Sequence, residues 1–138
     1  MKTLKEYLKI ESVLKMTLSK AQQNQLVKFQ GEIKDKEIKP ISPKDLHITL
    51  LSGNEWKRVK GEYKGKELKD VDFHITFEKP QRIEGQNGRI NYYSKITQQK
   101  QMNDYVKGLV GVVNKERVYH ASIGNRTGRV GDSIGDVR

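Results

Sequence analysis

Two stretches of this chain alternate apolar and polar residues around a histidine, each with a hydroxyl residue two positions later: Asp45-Leu46-His47-Ile48-Thr49-Leu50 and Val118-Tyr119-His120-Ala121-Ser122-Ile123. Alternation with period two predicts a strand with one buried face. Leu46, Ile48 and Leu50, and likewise Tyr119, Ala121 and Ile123, would face a core, leaving His47 with Thr49 and His120 with Ser122 on the polar faces. The alternation of Leu14, Met16 and Leu18 against Lys15 predicts another strand over about 12–18. Ser19 then reads as an N-cap with Gln22 three residues on, and Leu26, Phe29 and Ile33 form the apolar stripe of a helix over about 20–33.

The pattern then repeats imperfectly. Residues 34–43 are polar with two prolines and read as a loop into the first histidine strand. Val71, Phe73, Ile75 and Phe77 predict a strand over 71–77, and Asn87-Gly88 is a hairpin signal. The strand over about 89–96 is expected to turn Ile90, Tyr92 and Ile96 inward and Arg89, Asn91, Tyr93 and Lys95 outward. Thr97 is expected to cap a second helix carrying Met102, Tyr105, Val106, Leu109 and Val113. Thr3 and Glu6, with Leu4 and Leu8, suggest one short helical turn, and the Lys-, Gly- and Glu-dense stretch 52–69 around Trp56 reads as a loop or short helix over a cleft. The resulting order is strand, helix, histidine strand, then strand, strand, helix, histidine strand.

If the histidine strands lie side by side, two imidazoles and two hydroxyls converge on one surface. Imidazole titrates near neutrality and serves as acid or base, and a hydroxyl donates to a phosphoryl oxygen. That combination points to metal-independent cleavage of a phosphodiester. A third His-x-Thr, at His74 and Thr76, neither follows a helix nor leads into one, and His74 reads as an ordinary histidine on a solvated strand face.

At 138 residues the chain suits one domain, with lobes over about 10–52 and 70–125 and a glycine-rich segment over 124–138. Lys+Arg 27 against Asp+Glu 17 gives a net charge of +10, spread along the chain, which fits either a polyanionic partner or a soluble lysine-rich surface. The absence of cysteine excludes disulfides and thiolate metal sites. No apolar run resembles a signal peptide or reaches the about 20 residues of a membrane span, so a soluble, cytoplasmic protein is expected.

With its two apolar-His-x-(Thr/Ser)-apolar stretches, Leu46-His47-Ile48-Thr49-Leu50 and Tyr119-His120-Ala121-Ser122-Ile123, their histidines 73 positions apart, the chain resembles the two-histidine (2H) phosphoesterases. The resemblance covers about Ser12 to Ile123 as an order of elements and the two motifs as residues. It implies an α/β (α+β) fold of two lobes, with two antiparallel sheets flanking a central groove and helices outside. Family activities include hydrolysis of RNA 2′,3′-cyclic phosphates, RNA ligation, trimming of RNA ends, and destruction by phage enzymes of cyclic oligonucleotide immune messengers. Small size, many lysines and no cysteine are reminiscent of phage proteins. By resemblance His47 and His120 are acid and base in an order left open, Thr49 and Ser122 bind the phosphate, and no metal or other cofactor is needed.

The residues add further candidates. Lys15 and Lys95 sit at corresponding polar positions of the strands preceding the two helices, and Arg126 lies four residues beyond Ser122 in a glycine-rich stretch suited to an anion. All three are expected near the phosphate, with Tyr93 and Trp56 as base-stacking side chains. Residues 130–138 read as a tail. No GxxxxGK(S/T) spacing is present, so a nucleoside-triphosphate loop is not expected. Two other readings stand beside the enzyme: a non-catalytic RNA-binding module with the same groove, and histidines ligating a metal with Asp45 or Asp72.

Overall fold

The computed structural model describes residues 13–52, 67–68, 73–110 and 117–133. Its first unit is strand β1 (Val13–Thr17), helix α1 (Lys20–Glu32), the two-residue strand β2 (Lys39–Pro40) and the first histidine strand β3 (His47–Ser52). The helix starts where the sequence places it. Ser19 Oγ accepts from the Gln22 backbone N–H at 3.2 Å while Gln22 Oε1 accepts from the Ser19 N–H at 2.9 Å, a reciprocal cap that satisfies two helix-end donors. Leu26 is wholly buried, and Phe29 and Ile33 pack against the core. Strand β1 lies antiparallel to β3, with Lys15 opposite Thr49 and Thr17 opposite His47.

The second unit follows the same plan. Strands β5 (Gln81–Glu84) and β6 (Ile90–Lys95) form a hairpin through a turn at Gln86–Gly88, helix α2 spans Gln99–Val110, and strand β7 (His120–Asn125) carries the second histidine. Gly88 closes the turn with φ of 73°, a left-handed conformation that glycine adopts without steric cost. Strand β6 runs antiparallel to β7, as β1 does to β3. Met102 and Val106 of α2 are fully buried.

The fold is therefore α+β, with two helices and two sheets among the described residues, ordered β3-β1-β4, where β4 is Glu67–Leu68, and β2-β7-β6-β5. All pairings are antiparallel except that of β4, which runs parallel to β1. Strands β3 and β7 pack together where the sheets adjoin. One apolar cluster underlies both sheets, joining Met16, Ile48 and Leu50 to Ile96, Met102, Ala121 and Ile123. No helix of the described residues is long and apolar enough to cross a membrane.

Several local expectations are corrected. Residues 73–76 are not a strand; within the described part of 71–77, only Phe77 makes a bridge, to Ile96. The side chain of Gln98 does the work of a ladder there: its Oε1 accepts from the Thr76 N–H and its Nε2 donates to Thr76 Oγ1, both at 2.9 Å. The hairpin accordingly pairs β6 with 81–84. A bulge between Tyr92 and Tyr93 breaks the alternation of β6, so Asn91 and Tyr93 are buried while Tyr92 is half-exposed. Helix α2 takes its first backbone bond on the Gln98 carbonyl, from Met102 N–H at 3.1 Å, which puts Gln98 and not Thr97 at the cap. The loop 34–43 contains β2, paired with β7. Residues 130–133 form an ordered turn instead of a tail. The helical turn expected over 3–8, and Trp56, Val71, Asp72 and Val113, lie outside the described residues.

Candidate active site

Each histidine reaches the site from a strand whose neighbours are buried. Leu46, Ile48 and Leu50 anchor β3, and Tyr119, Ala121 and Ile123 anchor β7, all at 2% exposure or less, so the intervening side chains must point the other way. Helix α2 adds a second hold on β7. Gln99 Nε2 donates to the carbonyls of Ile96 at 2.9 Å and Tyr119 at 2.7 Å, while its Oε1 accepts from the Tyr119 N–H at 2.8 Å. Gln30 of α1 likewise donates to the carbonyls of Ile41 and Ile123, both at 2.8 Å.

His47, Thr49, His120 and Ser122 line one recess of about 90 Å³, together with Val130 and Ser133. The space has room for a group the size of a phosphoryl. The two imidazoles are held alike. His47 Nδ1 lies 2.9 Å from the carbonyl of Asp45 and His120 Nδ1 lies 3.2 Å from the carbonyl of Val118, in both cases the carbonyl two residues upstream. A carbonyl oxygen only accepts, so Nδ1 of each ring carries the proton in this contact. Burial holds the His47 imidazole below its ordinary value; the Asp45 carbonyl opposes this, and the Lys15 charge lowers it further.

The hydroxyls are oriented as well. Asn91 Nδ2 donates to Ser122 Oγ at 3.3 Å and Asn125 Nδ2 donates to Ser133 Oγ at 3.0 Å. A hydroxyl oxygen occupied as an acceptor still has its own proton to give. Asn125, 1% exposed, also organises the turn that follows: its Oδ1 accepts from the backbone N–H groups of Thr127 at 3.1 Å and Gly128 at 2.6 Å, and its Nδ2 donates to the Arg129 carbonyl at 2.7 Å. This closed network carries Val130 and Ser133 back over the recess. None of Asn91, Asn125, Val130 or Ser133 is among the sequence-derived candidates. The available signal was Asn125-Arg126-Thr127-Gly128, an asparagine placed to bond its own backbone two residues on.

The remaining sequence candidates fall in different places. Lys15 lies opposite Thr49 on β1 and is near enough to act on His47 by charge. Lys95 lies opposite His120, so the two lysines are not in equivalent positions: one is paired with the hydroxyl residue and the other with the histidine, two residues away along the strand. Tyr93 is 5% exposed and is no platform for a base. Its ring packs edge-on against His120 with centroids 5.6 Å apart, and its hydroxyl donates to Gln81 Oε1 at 2.9 Å. Arg126 lines a neighbouring pocket instead of the histidine recess. His74 is exposed and not part of the recess. The recess lining contains no carboxylate, and among the described residues no three of His, Cys, Asp and Glu gather to hold a metal ion.

Compared with family models, with curated proteins and with solved structures, the chain gives no match.

Proposed function

We propose that this protein is a phosphodiesterase of the two-histidine type, cleaving RNA 2′,3′-cyclic phosphate ends or cyclic oligonucleotides by acid–base catalysis without a metal ion. The observation that carries this reading is the shared recess, which His47, Thr49, His120 and Ser122 line together, each imidazole held through Nδ1 by the carbonyl two residues upstream. The antiparallel pairing of each histidine strand with the strand before its helix is consistent with two lobes meeting at a groove, as the resemblance leads one to expect.

In this reading His47 is the base, because burial and Lys15 favour its neutral form. Its Nε2 takes a proton from water as the water oxygen bonds to phosphorus, and the backbone carbonyl of Asp45 steadies the resulting imidazolium through Nδ1–H. His120, protonated on Nε2, gives that proton to the departing ribose oxygen as the P–O bond breaks. Thr49, Ser122 and Ser133 donate to the non-bridging oxygens. Lys15 offsets the phosphate's charge from the neighbouring strand.

The test is a substrate panel in the presence of chelator: a 2′,3′-cyclic mononucleotide, a short RNA ending in a 2′,3′-cyclic phosphate, and a cyclic dinucleotide, with products separated and identified. A linear product with one phosphomonoester is expected. No turnover of any of the three, with or without added metal, would refute the proposal.

A further inference from the structure

Beside the histidine recess lies a second pocket, of about 290 Å³, lined by Gly88, Arg89, Ile90, Arg126, Thr127, Arg129 and Asp132. The two spaces share a wall. Val130 and Ser133 of the turn at Val130–Asp132 face the histidines, whereas Arg129 and Asp132 of the same turn face the arginines. Three guanidiniums against one carboxylate leave the second pocket with two positive charges in excess. Asp132 is already committed: it accepts from Thr127 Oγ1 at 2.7 Å and from Arg129 Nε at 3.1 Å, and the Thr127 bond and the charges of Arg129 and Arg89 hold its carboxyl below the ordinary value. Arg126 meets Glu37 at only 3.7 Å between two exposed side chains, a pair easily exchanged for a stronger anion. Arg89 makes no ion pair among the described residues.

We infer that this arginine-lined pocket is a second subsite, binding the phosphate next to the one being cleaved, so that the preferred substrate carries at least two phosphates and is an oligonucleotide and not a mononucleotide. The inference rests on the phosphodiesterase reading and extends it. The recess is lined by the two histidines and three hydroxyl residues and, among the described residues, carries no guanidinium, whereas the arginines gather on the other side of the turn. A guanidinium fork matches phosphate oxygens in pairs, and the pocket offers that fork one wall away.

The experiment compares kcat/KM for a 2′,3′-cyclic mononucleotide, a linear dinucleotide ending in a 2′,3′-cyclic phosphate and a cyclic dinucleotide, in the wild type, Arg89→Ala and Arg126→Ala. Preference for a dinucleotide over the mononucleotide should be about tenfold or more and should collapse toward unity in each variant, the scale of a charge-assisted hydrogen bond. Whichever dinucleotide shows the arginine-dependent preference identifies the source of the second phosphate. Binding is read separately, in His47→Ala/His120→Ala protein, as the salt dependence of affinity for a labelled tetranucleotide; adding Arg89→Ala should lower the slope by about 0.7, one single-strand phosphate contact. That slope change without turnover of any substrate would keep the subsite and reject the phosphodiesterase. Turnover with equal preference for all three substrates, and a slope untouched by Arg89→Ala, would overturn the subsite and leave the arginines as surface charge.

Discussion

Asn91 and Asn125 face each other across β6 and β7, and each gives its side-chain amide to a serine of the histidine recess, Asn91 to Ser122 and Asn125 to Ser133. Both are buried, at 0% and 1% exposure, where each hydrogen bond an amide makes counts. Each serine oxygen, occupied as an acceptor, keeps its own proton to donate. Asn91→Leu should weaken phosphate binding by about tenfold, the value of one hydrogen bond to a charged group, without moving the pH profile. Its effect on phosphate binding should shrink in a Ser122→Ala background, because the amide bonds that hydroxyl. Full additivity in the double-mutant cycle would refute the coupling.

Asn125→Ala should act mainly on folding. It removes the acceptor of the Thr127 and Gly128 N–H groups and a donor to Arg129, and should cost about 1–3 kcal/mol in denaturant unfolding. Gly128→Ala should destabilise the same turn by about 1–2 kcal/mol, since its φ of 77° disfavours a side chain and a Cβ would come within 3.2 Å of the Pro40 carbonyl oxygen. Gly31→Ala is the opposite case: it lies in α1 with nothing within 4 Å of an added Cβ, and should stabilise by about 0.5–1 kcal/mol.

His47→Ala and His120→Ala should each lower turnover by about 10²–10⁴-fold while substrate binding stays measurable, as expected for losing a general base or acid. His74→Ala should change neither turnover nor stability beyond about 0.5 kcal/mol, because the side chain is exposed and outside the recess. A loss in His74→Ala equal to the others would mean that the reacting pair is a different one.

Because His47 is held below its ordinary value of 6.5, the unfolded chain binds a proton there that the folded chain resists. The stability linked to this group is therefore complete above about pH 6.5 and is lost as pH falls through the depressed value. Unfolding followed from about pH 7 to about pH 5 should show a slope that flattens in His47→Gln. The acid limb of kcat/KM should likewise fall below the pH at which a free imidazole titrates. An acid limb at or above 6.5 would contradict the assignment of His47 as the base.

The sequence by itself determined what depends on neighbours a few residues apart. The reciprocal cap at Ser19 and Gln22, the stripe through Leu26, the turn at Gly88 and the faces of both histidine strands are settled by periodicities of two and 3.6 and by local hydrogen bonds. The repeat also placed His47 and His120 on matching elements and set His74 apart. Only the tertiary structure decided which strands adjoin, the register that sets Lys15 opposite Thr49 but Lys95 opposite His120, the bulge that buries Tyr93, and which side of the Val130–Asp132 turn meets which pocket. The same holds for the side-chain amides of Gln98, Gln99, Asn91 and Asn125. Their partners lie 20 to 31 residues away for the first three, and for Asn125 the local network matters only because β7 sets it beside the recess. A one-residue slip reverses the face of every following side chain, and no local pattern records where such a slip occurs.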